Sequence, residues 1–202
     1  MKGDNQIIEL SDYSNTGQVR VYDIEAISLP IVYNKYGDHD PNGLIYVLKQ
    51  DSERIQRKAK ELFDNGYNCA QSVLGAFAPE LGMPFDLAVK LASGLGGGVG
   101  RLREVCGAVT GMVEALSLAQ GFDRPEQTEE KKALYAAVQK LTLEFKERNG
   151  SYICRELLGD EGRDNAPSPS ARTAAYYQQR PCGNLVACAA GLLEEYLNAQ
   201  KG

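Results

Sequence analysis

Histidine and tryptophan are the scarcest side chains in this 202-residue chain, which has one histidine, His39, and no tryptophan. A single imidazole excludes histidine-based catalysis and any metal site built from several histidines. Basic residues are also in the minority, with 22 lysines and arginines against 27 aspartates and glutamates and a net charge of -5. Because proteins that bind nucleic acid usually present a basic face, we expect no nucleic-acid partner.

Long apolar runs are missing as well. No stretch approaches the roughly 20 residues that a membrane-spanning helix needs, so we expect no membrane span. The first residues, M-K-G-D-N-Q, lack the apolar region of a secretory signal. The 5 cysteines are an odd number and fit a reduced compartment better than a disulfide framework. We therefore expect a cytoplasmic protein.

The pattern of apolar residues divides the chain near residue 50. Residues 1–50 are rich in β-branched residues and tyrosine, interrupted by the turn-forming segment G-D-H-D-P-N-G at 37–43. This composition predicts an extended or β-like N-terminal arm. From residue 51 to 202 apolar residues recur at helical spacing, which predicts a mainly α, bundle-like domain of six to seven helices. The arm and the apolar edges of such a domain favour a homo-oligomer, most simply a dimer.

Local signals place several elements of the helical domain. Asn68 is a cap residue for a helix that carries Cys69, and Pro125 favours the start of a long helix that runs to Arg148. Gly107 and Gly111 are four residues apart, which predicts close packing of their helix against a neighbour. Residues 160–180 are polar and contain P-S-P-S, which predicts a surface excursion between two helices.

Four of the cysteines lie where a helix is predicted to begin. The segments are G-Y-N-C-A-Q at Cys69, R-E-V-C-G-A-V at Cys106, S-Y-I-C-R-E at Cys154 and Q-R-P-C-G-N at Cys182. The free N–H groups and the positive dipole end of a helix start favour thiolate over thiol. Thiolates bind soft metals and attack disulfides, so the pattern indicates redox or metal chemistry. Cys188 points about 240° away from Cys182 around the same helix, and we interpret it as a packing residue.

The intervals between the cysteines are long, and the chain has no C-x-x-C pair. A shared site would therefore be assembled by tertiary packing of several helix starts. For any one cysteine, burial in an ordinary core is the competing interpretation, because free cysteine is among the most buried residue types. Nearby arginines favour the shared site, since guanidinium groups would stabilise a negatively charged cluster and tune its potential; they are Arg101, Arg103, Arg155 and Arg180. The alternative for each arginine is a solvated surface charge.

A glycine-rich stretch, S-G-L-G-G-G-V-G, precedes Cys106. Glycine-rich loops can cradle phosphate, but this one follows a helical segment and lacks the G-K-[ST] ending. We favour the interpretation that Gly97, Gly98 and Gly100 let the backbone pass close to a buried cofactor or to Cys106.

Residues 52–200 resemble a family of redox-active proteins named for its C…G-C-A-x-x-G…C…C cysteine pattern. The similar segments are L-F-D-N-G-Y-N-C-A-Q-S-V-L, G-L-G-G-G-V-G-R-L-R-E-V-C-G-A-V-T-G, C-R-E-L-L-G and C-G-N-L-V. A similar helical domain occurs in split-Soret cytochromes, where it is associated with a four-cysteine iron–sulfur cluster. The resemblance implies that the ligands here are Cys69, Cys106, Cys154 and Cys182. The chain has no C-x-x-C-H motif, so the resemblance implies no covalently attached haem.

Three functions stand as alternatives. An electron-transfer protein would bind an iron–sulfur cluster, most simply of the 2Fe–2S type, and exchange electrons with a redox partner protein that the sequence does not identify. A thiol–disulfide oxidoreductase would use a low-pKa Cys69 with Cys106 as the resolving thiol. A structural protein would hold zinc at the same four cysteines.

Overall fold

The computed structural model describes residues 54–200 together with the backbone of four strands that precede them. The strands are β1 (Ile8–Leu10), β2 (Arg20–Tyr22), β3 (Ile24–Val32) and β4 (His39–Leu48). β1 pairs with β2 and β3 pairs with β4, each time in antiparallel register. The β-like character predicted for the N-terminal arm is therefore present in the strands described.

The turn predicted at residues 37–43 is wrong in its extent, because β4 already begins at His39. Residues 37 and 38 lie outside the described residues. The ladder is irregular at this point: Leu29 pairs with Gly43, and the next pair is Ile31 with Asp40. One proline, Pro30, falls in the gap on β3 and another, Pro41, in the gap on β4. Proline has no N–H to donate to a ladder, so the irregularity falls where pairing is weakest.

The helices occupy the rest of the chain. They are α1 (Arg54–Asp64), α2 (Cys69–Phe77), α3 (Phe85–Leu91), α4 (Gly107–Gln120), α5 (Thr128–Asn149), α6 (Cys154–Leu158), α7 (Ala174–Gln179) and α8 (Cys182–Ala199). Short 3-10 turns cover Ala92–Leu95 and Gly159–Gly162. The mainly α fold class is confirmed.

The described residues contain eight α-helices where six to seven were predicted. The additional one is α7, within the segment predicted as a surface excursion. The Thr173 hydroxyl accepts a hydrogen bond of 3.2 Å from the Tyr176 N–H and caps this helix. Its six residues are too few to show a helical apolar period. The long helix α5 begins at Thr128, three residues after Pro125.

The core lies between α1, α2, α4, α5 and α8. Its largest fully buried side chains include Phe63, Phe145, Leu74, Met112, Leu116, Leu141 and Leu192. The close packing predicted for Gly107 and Gly111 is confirmed, because both face α2. A Cβ on Gly111 would lie 2.6 Å from the Ala70 carbonyl oxygen, and one on Gly107 would lie 3.0 Å from the Cys69 Cβ. These two glycines bring the starts of α2 and α4 together.

The chain divides into two compact units, Met1–Arg54 with Asn198–Gly202, and Ile55–Leu197. The predicted boundary between a 1–50 arm and a 51–202 domain stays a prediction, as do the homodimer and the cytoplasmic location. None of the helices in the described part of the chain combines the length and the apolar character needed to cross a membrane.

Candidate functional site

Each of the four predicted cysteines lies at the start of a helix. Cys69, Cys154 and Cys182 are the first residues of α2, α6 and α8, and Cys106 immediately precedes α4. Asn68 caps α2 as predicted: its side chain accepts hydrogen bonds of 3.0 Å from the N–H groups of Ala70 and Gln71. The predicted helix-start positions of the cysteines are thus found in the structure.

Backbone pairing holds two of these starts side by side. Val105 and Ile153 form an isolated antiparallel bridge. The Cys106 N–H donates to the Tyr152 carbonyl at 2.8 Å, and the Cys154 N–H donates to the Glu104 carbonyl at 2.6 Å. Because both cysteine N–H groups are used in this way, Cys106 and Cys154 are positioned by main-chain hydrogen bonds and not by side-chain packing alone.

The glycine-rich loop packs against the site. Gly97, Gly98 and Gly100 have φ angles of 64°, 71° and 57°, a region that side chains disfavour. A Cβ on Gly98 would lie 2.7 Å from the Cys154 Cβ. One on Gly96 would lie 2.7 Å from the Asn68 Cγ. Close approaches of this loop are therefore made to Cys154 and Asn68, and its predicted passage beside a buried cofactor or Cys106 stays a prediction.

All four cysteines line one cavity of about 270 Å³. The thiols of Cys69 and Cys182 each shift the pKa of the other, and charge on Cys106 or Cys154 raises the pKa of Cys69 further. All of these cysteines are free thiols. Cys188 is absent from the cavity; its sulfur accepts a hydrogen bond of 3.3 Å from the Asn149 side-chain amide, in keeping with a packing role.

Three of the four predicted arginines line the same cavity. The Arg101 Nη2 lies 2.8 Å from Asp164 Oδ2, and the Arg180 Nη2 lies 3.1 Å from Glu161 Oε2. Arg103 is the most buried, with 4% of its surface exposed.

Arg155 is the exception among the predicted arginines. It pairs with Glu104 at 2.7 Å, with both side chains about half exposed, and it does not line the cavity. The prediction of Arg155 as part of the cofactor environment is therefore not supported by its position. Its backbone follows Cys154 into α6, but its side chain turns toward solvent.

Arg172 and Tyr176 also line the cavity, and neither was predicted from the sequence as a site residue. The Arg172 guanidinium lies 4.5 Å from the ring centre of Phe63 and 4.7 Å from that of Tyr176, and it donates to the Tyr67 carbonyl at 3.0 Å. The Arg180 guanidinium lies 4.8 Å from the ring centre of Tyr176. The clustering of tyrosine and arginine in R-T-A-A-Y-Y-Q-Q-R was the available signal, since guanidinium groups stack on aromatic faces.

The cavity is short of negative charge. Its lining within the described chain contains Arg101, Arg103, Arg172 and Arg180 and no aspartate or glutamate. One buried nitrogen of Arg103, Nη2, and one of Arg172, Nη1, have no hydrogen-bond partner among residues 54–200. Buried cations are normally paired, so this arrangement suits an anionic occupant.

The thiol pKa values differ sharply around the cavity. The neighbouring Cys69 thiol, followed by Arg180, lowers the pKa of Cys182, whereas the Cys182 thiol and burial raise the pKa of Cys69. Burial raises the pKa of Cys106 to about 12. Burial also raises the pKa of Cys154 in spite of Arg103 beside it. The thiolate expected at every helix start is therefore supported only at Cys182, because desolvation raises the pKa of Cys106 and Cys154, and the Cys182 thiol together with desolvation raises that of Cys69.

The donor set suits a soft metal, since four sulfurs are the ligands that iron–sulfur clusters and zinc prefer. Over residues 54–200, however, no three histidine, cysteine, aspartate or glutamate side chains are grouped as they would be around a single metal ion. The assignment of Cys69, Cys106, Cys154 and Cys182 as metal ligands stays a prediction.

The fold and the site together define a helical protein with a cavity lined by cysteine and arginine. Residues 67–196, which include all of the cavity cysteines, match the model of the family described as "Putative redox-active protein (C_GCAxxG_C_C)", and the chain belongs to this family. A relative from Archaeoglobus fulgidus, described as an uncharacterized protein, is 28% identical over 159 residues, which is 75% of this chain and 99% of the relative. No solved structure gives a significant match.

Proposed function

We propose that this protein is an electron-transfer protein whose four cavity cysteines hold an iron–sulfur cluster, most simply of the 2Fe–2S type. The observation that carries the proposal is the meeting of four helix-start cysteines in one cavity whose charged side chains are all arginines. The cluster, when bound, would supply one-electron chemistry.

The residues around the cysteines have distinct tasks in this proposal. Arg103 and Arg172 would neutralise the negative charge of the tetrathiolate centre, since each has a buried nitrogen without a partner in the described helical region. Leu157, Leu158 and Leu185 line the same cavity and would exclude water from it. Arg101 donates to Ser170 Oγ at 3.1 Å and to the Ala166 carbonyl, which holds the segment between the 3-10 turn Gly159–Gly162 and α7 against the cavity that it lines.

Protein purified under anaerobic conditions is expected to be coloured and to contain iron and acid-labile sulfide in equal amounts. Metal analysis and visible absorption measure this directly. Zinc without iron in freshly isolated protein would support the structural zinc site instead. Colourless protein without either metal would contradict both metal hypotheses.

A second candidate function rests on the contact between two thiols. In metal-free protein, the Cys182 thiolate would attack a low-molecular-weight disulfide, releasing one thiolate and forming a mixed disulfide. Cys69, once deprotonated, would attack that mixed disulfide, forming the Cys69–Cys182 bond and releasing the second thiol. The mutual influence of Cys69 and Cys182 on their pKa values favours this pair over the predicted pair of Cys69 and Cys106. Cys69 was predicted to be the attacking thiol, but in this scheme Cys182 attacks first and Cys69 is the resolving thiol, because Cys182 has the lowered pKa.

Cys182 is expected to react fastest of the five cysteines with iodoacetamide in metal-free protein at neutral pH. Its lowered pKa leaves more thiolate than at Cys69 or Cys106, and its rate should level off at a lower pH than that of a free thiol. Peptide mass spectrometry after timed alkylation measures each rate. Arg180→Met should slow Cys182, because Arg180 lowers its pKa, whereas Arg155→Met should leave the rate unchanged. Equal and slow alkylation at every site would argue against thiol exchange.

A further inference from the structure

A second, larger concavity of about 650 Å³ lies between α4, α5 and the Val105–Ile153 bridge. We call it the α4–α5 groove. Its volume is within the range of small-molecule sites, which commonly have mostly apolar walls and few polar groups. Apolar side chains form most of these walls: Leu95, Val105, Val109, Val113, Val138 and Leu143.

Residues that are neighbours in the sequence line the groove and the cysteine cavity. Val105 lines the groove while the next residue, Cys106, lines the cavity. The same alternation occurs at Leu95 and Gly96. Neighbouring residues of an extended segment point to opposite faces, so this short bridge separates the two spaces. A molecule in the groove would therefore lie directly behind a proposed cluster ligand.

The polar groups of the groove restrict the chemistry of its occupant. Among the described residues that line it there is no lysine or arginine, and the one charged side chain is Glu114. Organic electron carriers with phosphate or carboxylate groups, such as flavin and nicotinamide nucleotides or haem, would meet no counter-charge among these lining residues. An uncharged ring compound suits these walls.

Glu114 supplies a specific polar contact. Its Oε2 is buried and has no hydrogen-bond partner within residues 54–200. Burial raises the pKa of this carboxyl, which favours the protonated form. A protonated carboxyl donates a hydrogen bond, and a ring carbonyl is a matching acceptor.

We propose that the α4–α5 groove binds a quinone, with a quinone carbonyl accepting a hydrogen bond from Glu114. The choice of a redox-active occupant rests on the proposed electron-transfer function, because the groove is next to Cys106. The binding itself depends on the apolar walls and on Glu114, and it can be measured without the cluster.

The test uses 2-methyl-1,4-naphthoquinone as the probe and isothermal titration calorimetry of the full chain, both metal-free and as purified anaerobically. We expect saturable binding with one site per chain. Glu114→Leu should raise the dissociation constant about tenfold through loss of the hydrogen bond, whereas Glu114→Gln keeps an N–H donor and should bind nearly as the parent does. Gln139→Trp, at an exposed position of the groove, should block binding by filling the space. Glu147→Leu, on the exposed face of α5, is the matched control.

The outcomes separate this inference from the proposed function. Quinone binding by iron-free protein that never takes up iron would support the groove and contradict the cluster. Iron-containing protein that does not bind the probe, or binding that Gln139→Trp and Glu114→Leu leave unchanged, would overturn the groove proposal. Light scattering of the parent chain and of Gln139→Trp measures the oligomeric state. If the parent is a dimer that does not bind quinone and Gln139→Trp is a monomer, a second copy of the chain covers the groove and the quinone proposal is overturned.

Discussion

Replacing any one of Cys69, Cys106, Cys154 or Cys182 with serine is expected to remove most of the iron and the visible absorption of anaerobically purified protein. All four side chains line one cavity, so each replacement removes a proposed ligand from the same centre. A serine hydroxyl is a hard, protonated oxygen at neutral pH and binds iron in clusters poorly compared with a thiolate. Loss of an outer-shell partner typically lowers metal affinity about 10–100-fold, and loss of a ligand is expected to cost more.

Cys188→Ser is the matched control for this series. Cys188 lies on the same helix as Cys182, but it is outside the cavity and contacts Asn149. The Cys188→Ser protein should therefore retain its iron. The serine variants should keep the helical fold, because serine is nearly isosteric with cysteine. Circular dichroism would verify this. A cysteine of the four whose replacement leaves the iron content unchanged would contradict the four-ligand proposal.

Gly98→Ala is expected to have the largest effect of any single methyl addition in the glycine-rich loop. A Cβ there would lie 2.7 Å from the Cys154 Cβ and 2.8 Å from the Glu104 backbone nitrogen. The φ angle of 71° adds backbone strain. Left-handed backbone costs a residue with a Cβ about 1–2 kcal/mol and overpacking costs about 1–3 kcal/mol, so we expect destabilisation of about 3 kcal/mol. Urea denaturation of the metal-free protein measures the free energy of unfolding.

Alanine variants at two other glycines of the loop distinguish the cost of backbone strain from the cost of steric collision. Gly100 has a φ angle of 57°, but the nearest atom to a Cβ there would be the Gly94 carbonyl oxygen at 3.9 Å, so Gly100→Ala should show strain alone. A Cβ on Gly94 would meet nothing within 4 Å, and Gly94→Ala should change the stability by less than about 0.5 kcal/mol. The expected order of destabilisation is Gly98, then Gly100, then Gly94. Equal effects at Gly98 and Gly94 would show that the loop does not press on Cys154.

Gly98→Ala also connects the loop to the site. Because the collision is with Cys154 itself, the variant should take up less iron than Gly94→Ala even at temperatures where both are folded. Iron analysis of both variants, prepared in parallel, tests this consequence.

Local sequence signals predicted a large part of the helical framework. Asn68 with Gln71 three residues later forms the capping box found at the start of α2, and the spacing of Gly107 and Gly111 matches the close contact of α4 with α2. These features were predictable because caps and helix spacing depend on residues within a few positions of each other. Helix α7 was missed because its six residues hold too little of a helical period.

The composition of the site was less predictable than the framework. Arg155 was expected beside the cysteines because it follows Cys154 in sequence, but its side chain pairs with Glu104. Arg172 is ten residues from the nearest cavity cysteine and lines the cavity because it stacks on Phe63 and Tyr176. Proximity along the chain was therefore a poor guide to which arginines face the sulfurs.

The amino-acid order alone specified the starts of the helices that carry the four cysteines, because caps and turns are short-range interactions. Packing between distant segments determined that these starts share a cavity and that Cys182 and not Cys69 has the lowered pKa. It also left Arg103 and Arg172 each with a buried nitrogen that has no partner within residues 54–200. Burial and electrostatic interactions act through space, and the residues that produce them here come from α1 to α8.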